Sequence, residues 1–152
     1  MSGISLERPD LGRHGGVGHD GVGTESLAVL TIPADKHYVA MARMTALHVA
    51  GIVGLPIGRA TDLRLAVDEA CGLFLHHGRA SFAGPASLTL TFTRHADALR
   101  VSISGPAPSR HLLDDDDLGW TLLCALGGEP RWELRDGTGT LTLTEPLPTR
   151  RG

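Results

Sequence analysis

Aromatic side chains are scarce in this sequence: three phenylalanines, two tryptophans and one tyrosine, 4% of 152 residues. Proteins that hold single-stranded nucleic acid stack its bases on aromatic rings, and there are few rings here to serve. Excess positive charge is lacking too. Fourteen Lys and Arg stand against 17 Asp and Glu, a formal net charge of −3. That removes the electrostatic footprint of a DNA- or RNA-binding surface. Cysteine occurs only at Cys71 and Cys124, too few for a disulfide scaffold. Their apolar neighbourhoods predict two reduced, buried thiols. No apolar run approaches the roughly 18 residues that span a bilayer. The opening MSGISLERPD has no basic segment followed by an apolar core, so no secretory signal is read there. The expectation is a soluble, cytoplasmic protein that touches neither membrane nor nucleic acid directly.

Hydrophobic residues make up 41% of the chain and charged residues 20%, as in an ordinary globular domain with its own core. Glycine is plentiful, at 20 residues, and six of these fall between Gly12 and Gly23. That stretch has too little apolar surface to offset its ordering entropy. It contains Gly-x-Gly steps, yet neither a strand before it nor a periodic helix after it, which a phosphate-cradling loop requires. Residues 1–25 are therefore expected to be a flexible tail, with His14 and His19 solvated in it. Residues 26–147 are expected to form one domain, and 148–152 a flexible C-terminus.

From Leu27 the pattern becomes regular. SLAVLTIP reads as a short strand closed by Pro33. A helix follows with Asp35 as its N-cap, carrying Val39, Ala42, Ala46, Val49 and Val53 at helical spacing and ending at Gly54 and Pro56. A second helix is expected from an N-cap at Thr61, with Leu63, Ala66, Val67, Ala70, Cys71 and Phe74 as its core stripe. Beside that stripe runs another: Leu65, Glu69, Leu73 and His76. Then the period changes to two. Leu88, Leu90 and Phe92 alternate with threonines, and after a turn at His95–Asp97 Leu99, Val101 and Ile103 alternate with Arg100, Ser102 and Ser104, which predicts a hairpin. GPAPSRHLLDDDD reads as a loop, LGWTLLCALGG as a short apolar helix, and RWELRD with TLTLTEP as a second hairpin. Strands with one wet face must bury the other under helices. The predicted fold is an α+β two-layer sandwich: a mixed, mostly antiparallel sheet with three helices on one face.

Several side-chain groups offer little chemistry. His76 and His77 have no spaced His or Cys to complete a metal site. Asp114 to Asp117 are adjacent aspartates of the kind usually found solvated. Trp120 and Trp132 read as core or interface anchors. No Ser, His and Asp are spaced for nucleophilic catalysis.

The string RLAVDEAC, Arg64 to Cys71, and the order of elements around it resemble the anti-sigma factor and serine protein kinase family with the Bergerat (GHKL-type) ATPase fold. The likeness covers residues 27–146, and the string is similar to that of actinobacterial RsbW-type anti-sigma factors. The resemblance implies a GHKL, histidine-kinase-ATPase-like fold with serine/threonine protein kinase-like ancestry, a homodimer and a role in stress-response transcription control. Glu69 stands where the family has its general base for a partner serine, a proton acceptor at hydrogen-bond reach. Arg43, in the first-helix Ala-Arg step, stands where the family contacts its sigma factor and its anti-anti-sigma (STAS-domain) partner.

The nucleotide motifs depart from the family pattern. ATP with magnesium is the cofactor the resemblance implies, but the asparagine that binds magnesium is Leu73 here, with no oxygen to offer. The adenine-anchoring aspartate falls on Ser104, in Ser104-Gly105-Pro106-Ala107-Pro108, and the two following glycines are prolines, which lack a backbone donor. Gly119 and Thr121 are what remains of the later glycine box. Ser104, Gly105, Gly119 and Thr121 are thus the residues left for a weak nucleotide contact. The resemblance then implies an anti-sigma factor that sequesters an alternative sigma factor, with ATP binding weak or lost. The alternative is an active ATP-dependent serine protein kinase acting on an anti-anti-sigma protein.

Overall fold

A computed structural model describes residues 23–78, 86–107 and 118–149, without the side chains of 76–78. Most of the glycine-rich stretch, His14, His19, Pro108, Asp114 to Asp117 and the side chains of His76 and His77 lie outside the described residues. The order is β1 (Thr24–Pro33), a 3-10 turn (Lys36–Tyr38), α1 (Val39–Ile52), α2 (Ile57–Gly78), β2 (Ser87–His95), β3 (Ala98–Pro106), α3 (Leu118–Leu126), β4 (Arg131–Arg135) and β5 (Thr138–Pro146). The five strands form one sheet in the order β1-β2-β3-β5-β4. Each neighbouring pair is antiparallel, so the sheet is not mixed among the described residues. The two-layer α+β sandwich is as the alternation predicts.

Alternation sets which face is buried. Ala28, Leu30 and Ile32 on β1, Leu88, Leu90 and Phe92 on β2, Leu99, Val101 and Ile103 on β3, and Leu141 and Leu143 on β5 are all buried beneath the helices. Burying a leucine or phenylalanine fully is worth about 1.5–3 kcal/mol, so this face carries much of the fold's stability. The other face is a lattice of half-buried hydroxyls, where Thr31 meets Thr89 at 3.4 Å and Ser102 meets Thr142 at 3.4 Å.

α1 and α2 form a helical hairpin whose turn is chemically specified. Gly54 takes φ 82°, the left-handed conformation that glycine adopts without penalty. The Leu55 N–H donates to Ala50 O at 2.9 Å and the Gly54 N–H to Gly51 O at 3.2 Å. These two bonds satisfy carbonyls at the helix end, and Leu55 is buried as it leaves. Alanines at 42, 46 and 50 on α1 and at 60, 66 and 70 on α2 are buried. Their small side chains let the helices lie close to one another and to the sheet.

Four boundaries differ from the sequence reading. β1 begins at Thr24 rather than near Leu27 because Thr24, Glu25 and Ser26 pair with His95, Arg94 and Thr93. Backbone pairing extends the strand past the point where apolar alternation stops. Asp35 caps as expected, accepting from the His37 N–H at 2.8 Å, but it caps the 3-10 turn ahead of α1. α2 starts at Ile57, so Thr61 is inside the helix and not its N-cap. Pro56 O already accepts from the Ala60 N–H at 2.8 Å, and proline is well suited to open a helix. β3 runs on through Gly105 and Pro106, which pair with Gly139 and Thr138.

Candidate functional site

α1 and α2 lie side by side and bring Arg43 against Asp68. The Arg43 guanidinium donates from Nη1 to Asp68 Oδ1 at 2.8 Å, with the two side chains 38% and 39% exposed. The pair stands at the edge of a polar cavity of about 550 Å³, lined among others by Asp35, Lys36, His37, Glu69 and Gly72. Arg43 and Glu69, both singled out from the sequence, therefore share one site. Asp68 is the partner that sequence reading did not assign to Arg43. Only the hairpin brings positions 25 residues apart within hydrogen-bond reach.

Beyond the ion pair, towards the Gly54 turn, the surface becomes apolar. Met44 is 66% exposed, Leu47 39% and Leu65 41%. Leu47 follows Arg43 by one helical turn and Leu65 precedes Asp68 by about one turn, so in an antiparallel hairpin they lie on the same side of the pair. The result is an arginine beside exposed methionine and leucine side chains, and arginine and methionine are residue types enriched in protein interfaces.

Leu73 is one turn beyond Glu69 but is buried, as are Phe74 and Cys71. It belongs to the core and does not continue a surface stripe with Leu65 and Glu69. Cys71 is enclosed as expected, and burial, with a smaller push from Asp68, raises its thiol pKa to about 12. Cys124 is exposed on α3, contrary to the expectation of two buried thiols. Its helix shows solvent a face that the apolar sequence alone would have buried.

Ser104 lies where strand alternation placed it, on the face opposite Ile103, and that face is at odds with a nucleotide contact there. On β3 the buried positions are Leu99, Val101, Ile103 and Gly105, so Ser104 points to the hydroxyl-rich face, away from the helices. A shift of one residue in a strand moves a side chain to the other face. The residue that faces the helical layer at this end of β3 is Gly105. Gly119 and Thr121 lie in the first turn of α3. None of Leu73, Ser104, Gly105, Gly119 or Thr121 lines the cavity of Arg43 and Glu69.

Two further features escaped the sequence reading. Arg59, in the first turn of α2, donates from Nε to Glu145 Oε1 at 2.9 Å, donates from Nη2 to the same oxygen, and from Nη2 to Pro146 O at 2.8 Å. Glu145 is the one buried charged residue among those described. Trp132, on β4, leans over Gly139 and meets Phe74 of α2 with ring centroids 5.6 Å apart. A glycine inside an alternating strand was the available signal for that close approach.

Residues 32–139 match the family described as Histidine kinase-like ATPase domain. The chain belongs to this histidine kinase-like ATPase family. Within it, the domain is 29% identical over 75 residues to proteins named serine-protein kinase RsbW from Bacillus mycoides and from Bacillus cereus. That region is 49% of this chain and 46% of either relative, so the likeness spans about half the length of these curated proteins. A crystal structure of the RsbU and RsbW domains of a Mycobacterium tuberculosis protein superposes with a TM-score of 0.56 at 21% identity, over 78% of this chain and 32% of that one. This second likeness is one of fold. The histidine kinase-like ATPase domain here has no helix, among the described residues, long and apolar enough to cross a membrane.

Proposed function

We propose that this histidine kinase-like ATPase domain is an anti-sigma regulatory factor. It sequesters an alternative sigma factor through the α1–α2 surface, and an anti-anti-sigma protein releases the sigma factor by competing for the same surface. The observation that carries the reading is the Arg43–Asp68 pair. It is held by a 2.8 Å hydrogen bond, and it is flanked by exposed Met44, Leu47 and Leu65. An arginine held in place by a carboxylate loses less freedom on binding than a loose one. The kinship with RsbW supports a partner of this class.

ATP plays little or no part in this reading, because Leu73 carries no oxygen for magnesium and Ser104 faces away from the helical layer. The protein acts as a homodimer, which light scattering on the purified chain checks. Copurification with sigma factors, in the absence of nucleotide, tests the central claim. Retention of a sigma factor and its displacement by a STAS-domain protein are expected. Failure of both classes to bind at micromolar concentration overturns it.

One observation favours a second reading, an ATP-dependent serine protein kinase. Glu69 is half-buried beside the cavity, as a general base needs to be. Transfer of labelled phosphate from magnesium ATP to a STAS-domain serine, lost in Glu69→Ala, would establish it over the first.

A further inference from the structure

Three placements decide whether this domain has room for the nucleotide its family name implies. Leu73 is 5% exposed in the core and offers no oxygen, and magnesium takes oxygen ligands. Gly105 faces the helical layer, but a Cβ there would lie 2.6 Å from Leu88 Cδ2 and 3.2 Å from Ser87 O. A side chain there needs Leu88 to turn aside and the Ser87 carbonyl to give by a few tenths of an ångström, so the position is tight. The third placement is Trp132. It pairs with Leu141 and so shares the inner face of the sheet. From there its ring crosses Gly139, where a Cβ would collide with Cη2 and come within 2.7 Å of Cζ2 and 2.8 Å of Cζ3. The indole ends against Phe74, the residue after Leu73, with the ring planes tilted by 58°. Gly139 is in turn the register partner of Gly105. The residues present do not fit magnesium nucleotide.

We propose that Trp132 occupies, with its own indole, the space a purine ring would need between α2 and the β3–β5 end of the sheet, so the domain is closed to nucleotide by one of its own residues. Indole and purine are planar fused bicycles of nearly the same outline. The slot is shaped for such a ring: glycine on the floor, an aromatic edge on one side and aliphatic core around it. Two glycines at adjacent register positions are a poor choice for a plain strand interior, where glycine weakens packing. They are the right choice where a flat ring must lie directly on the backbone. The inference depends on family membership and not on the identity of any protein partner.

The test uses the full chain and its Trp132→Gly variant, followed by thermal unfolding with free indole, with adenine, and with ADP or ATP in the presence and absence of magnesium. For the wild-type chain, no midpoint shift is expected with adenine or either nucleotide at millimolar concentration. Trp132→Gly is expected to melt lower, and both indole and adenine to raise its midpoint. A wild-type midpoint raised by ADP or magnesium ATP overturns the proposal. So does rescue of Trp132→Gly by indole but not adenine, which would make Trp132 a core filler with no relation to a base. Rescue by neither ligand also overturns it. Should Trp132→Gly fail to fold, Trp132→Ala takes the same comparison, and equilibrium dialysis of wild type against a fluorescent adenine nucleotide still decides: retention of the probe overturns the proposal. Sigma-factor copurification is a separate readout, so failure of the partner reading and failure of this one are distinguishable.

Discussion

Asp68 of α2 accepts a hydrogen bond from Arg43 of α1 at 2.8 Å, and the two side chains are almost equally exposed, at 39% and 38%. A pair this open to water adds little to folding, in the range of about 0.2–1 kcal/mol. Its value lies in orientation, since it holds the guanidinium between the two helices, with exposed Met44, Leu47 and Leu65 nearby on the same hairpin.

Arg43→Ala is therefore expected to lower folding stability by no more than about 1 kcal/mol. On the proposed function it is expected to weaken sigma-factor binding by about thirtyfold, near 2 kcal/mol for an interface arginine. Asp68→Ala should weaken the complex less, because the arginine is freed but kept. Urea melts and surface-immobilised binding separate the two effects. Undiminished binding by Arg43→Ala would place the partner surface elsewhere.

The Arg59–Glu145 pair works in the opposite sense. Glu145 is buried, and Arg59 with the Pro146 carbonyl ties the first turn of α2 to the end of β5. Arg59→Ala leaves a carboxylate without its cation, at a cost of about 2–3 kcal/mol. Chemical denaturation measures this, and replacing both partners by Arg59→Met and Glu145→Leu is expected to cost less than Arg59→Ala alone.

Gly139→Ala drives a methyl into the Trp132 ring. Overpacking of this kind costs about 1–3 kcal/mol. In a double-mutant cycle with Trp132→Ala the two losses should be markedly less than additive, since removing the ring removes the clash. Additive losses would mean the ring moves aside freely.

The two thiols should behave differently. Cys124 is exposed and Cys71 buried, so a thiol reagent is expected to modify one site on the native protein and the second only on unfolding. Burial raises the Cys71 pKa from 9.0 to about 12. Between those values the unfolded chain releases a proton that the folded chain retains, so the contribution of Cys71 is full below pH 9 and is lost as pH rises towards 12. Cys71→Ala should flatten that part of the stability–pH curve relative to wild type.

Much of the fold was legible along the chain. Alternation at Leu88–Phe92, Leu99–Ile103 and Leu141–Leu143 named the buried face of three strands, and Gly54 with Pro56 marked the turn between α1 and α2. Boundaries were less legible where main-chain pairing alone decides them, as at Thr24–Ser26 and Gly105–Pro106. Of the site, Arg43 and Glu69 were visible as residue types within a helical pattern. Ser104 was placed on the correct face by strand alternation, and that face, turned away from the helices, is at odds with the nucleotide contact the resemblance assigned to it.

The sequence by itself determined the order of the helices and strands and the buried face of the strands, because hydrophobic period and turn chemistry are local properties read over a few residues. Only the tertiary structure decided that Arg43 meets Asp68, that Arg59 neutralises Glu145, and that the Trp132 ring lies on Gly139 against Phe74. Arg43 and Asp68 are 25 residues apart and Arg59 and Glu145 86, and Phe74 and Trp132 lie on elements separated by two strands and a helix. Their contact depends on strand order, helix crossing and a glycine's missing side chain acting together in space, and no window of neighbouring residues contains that information.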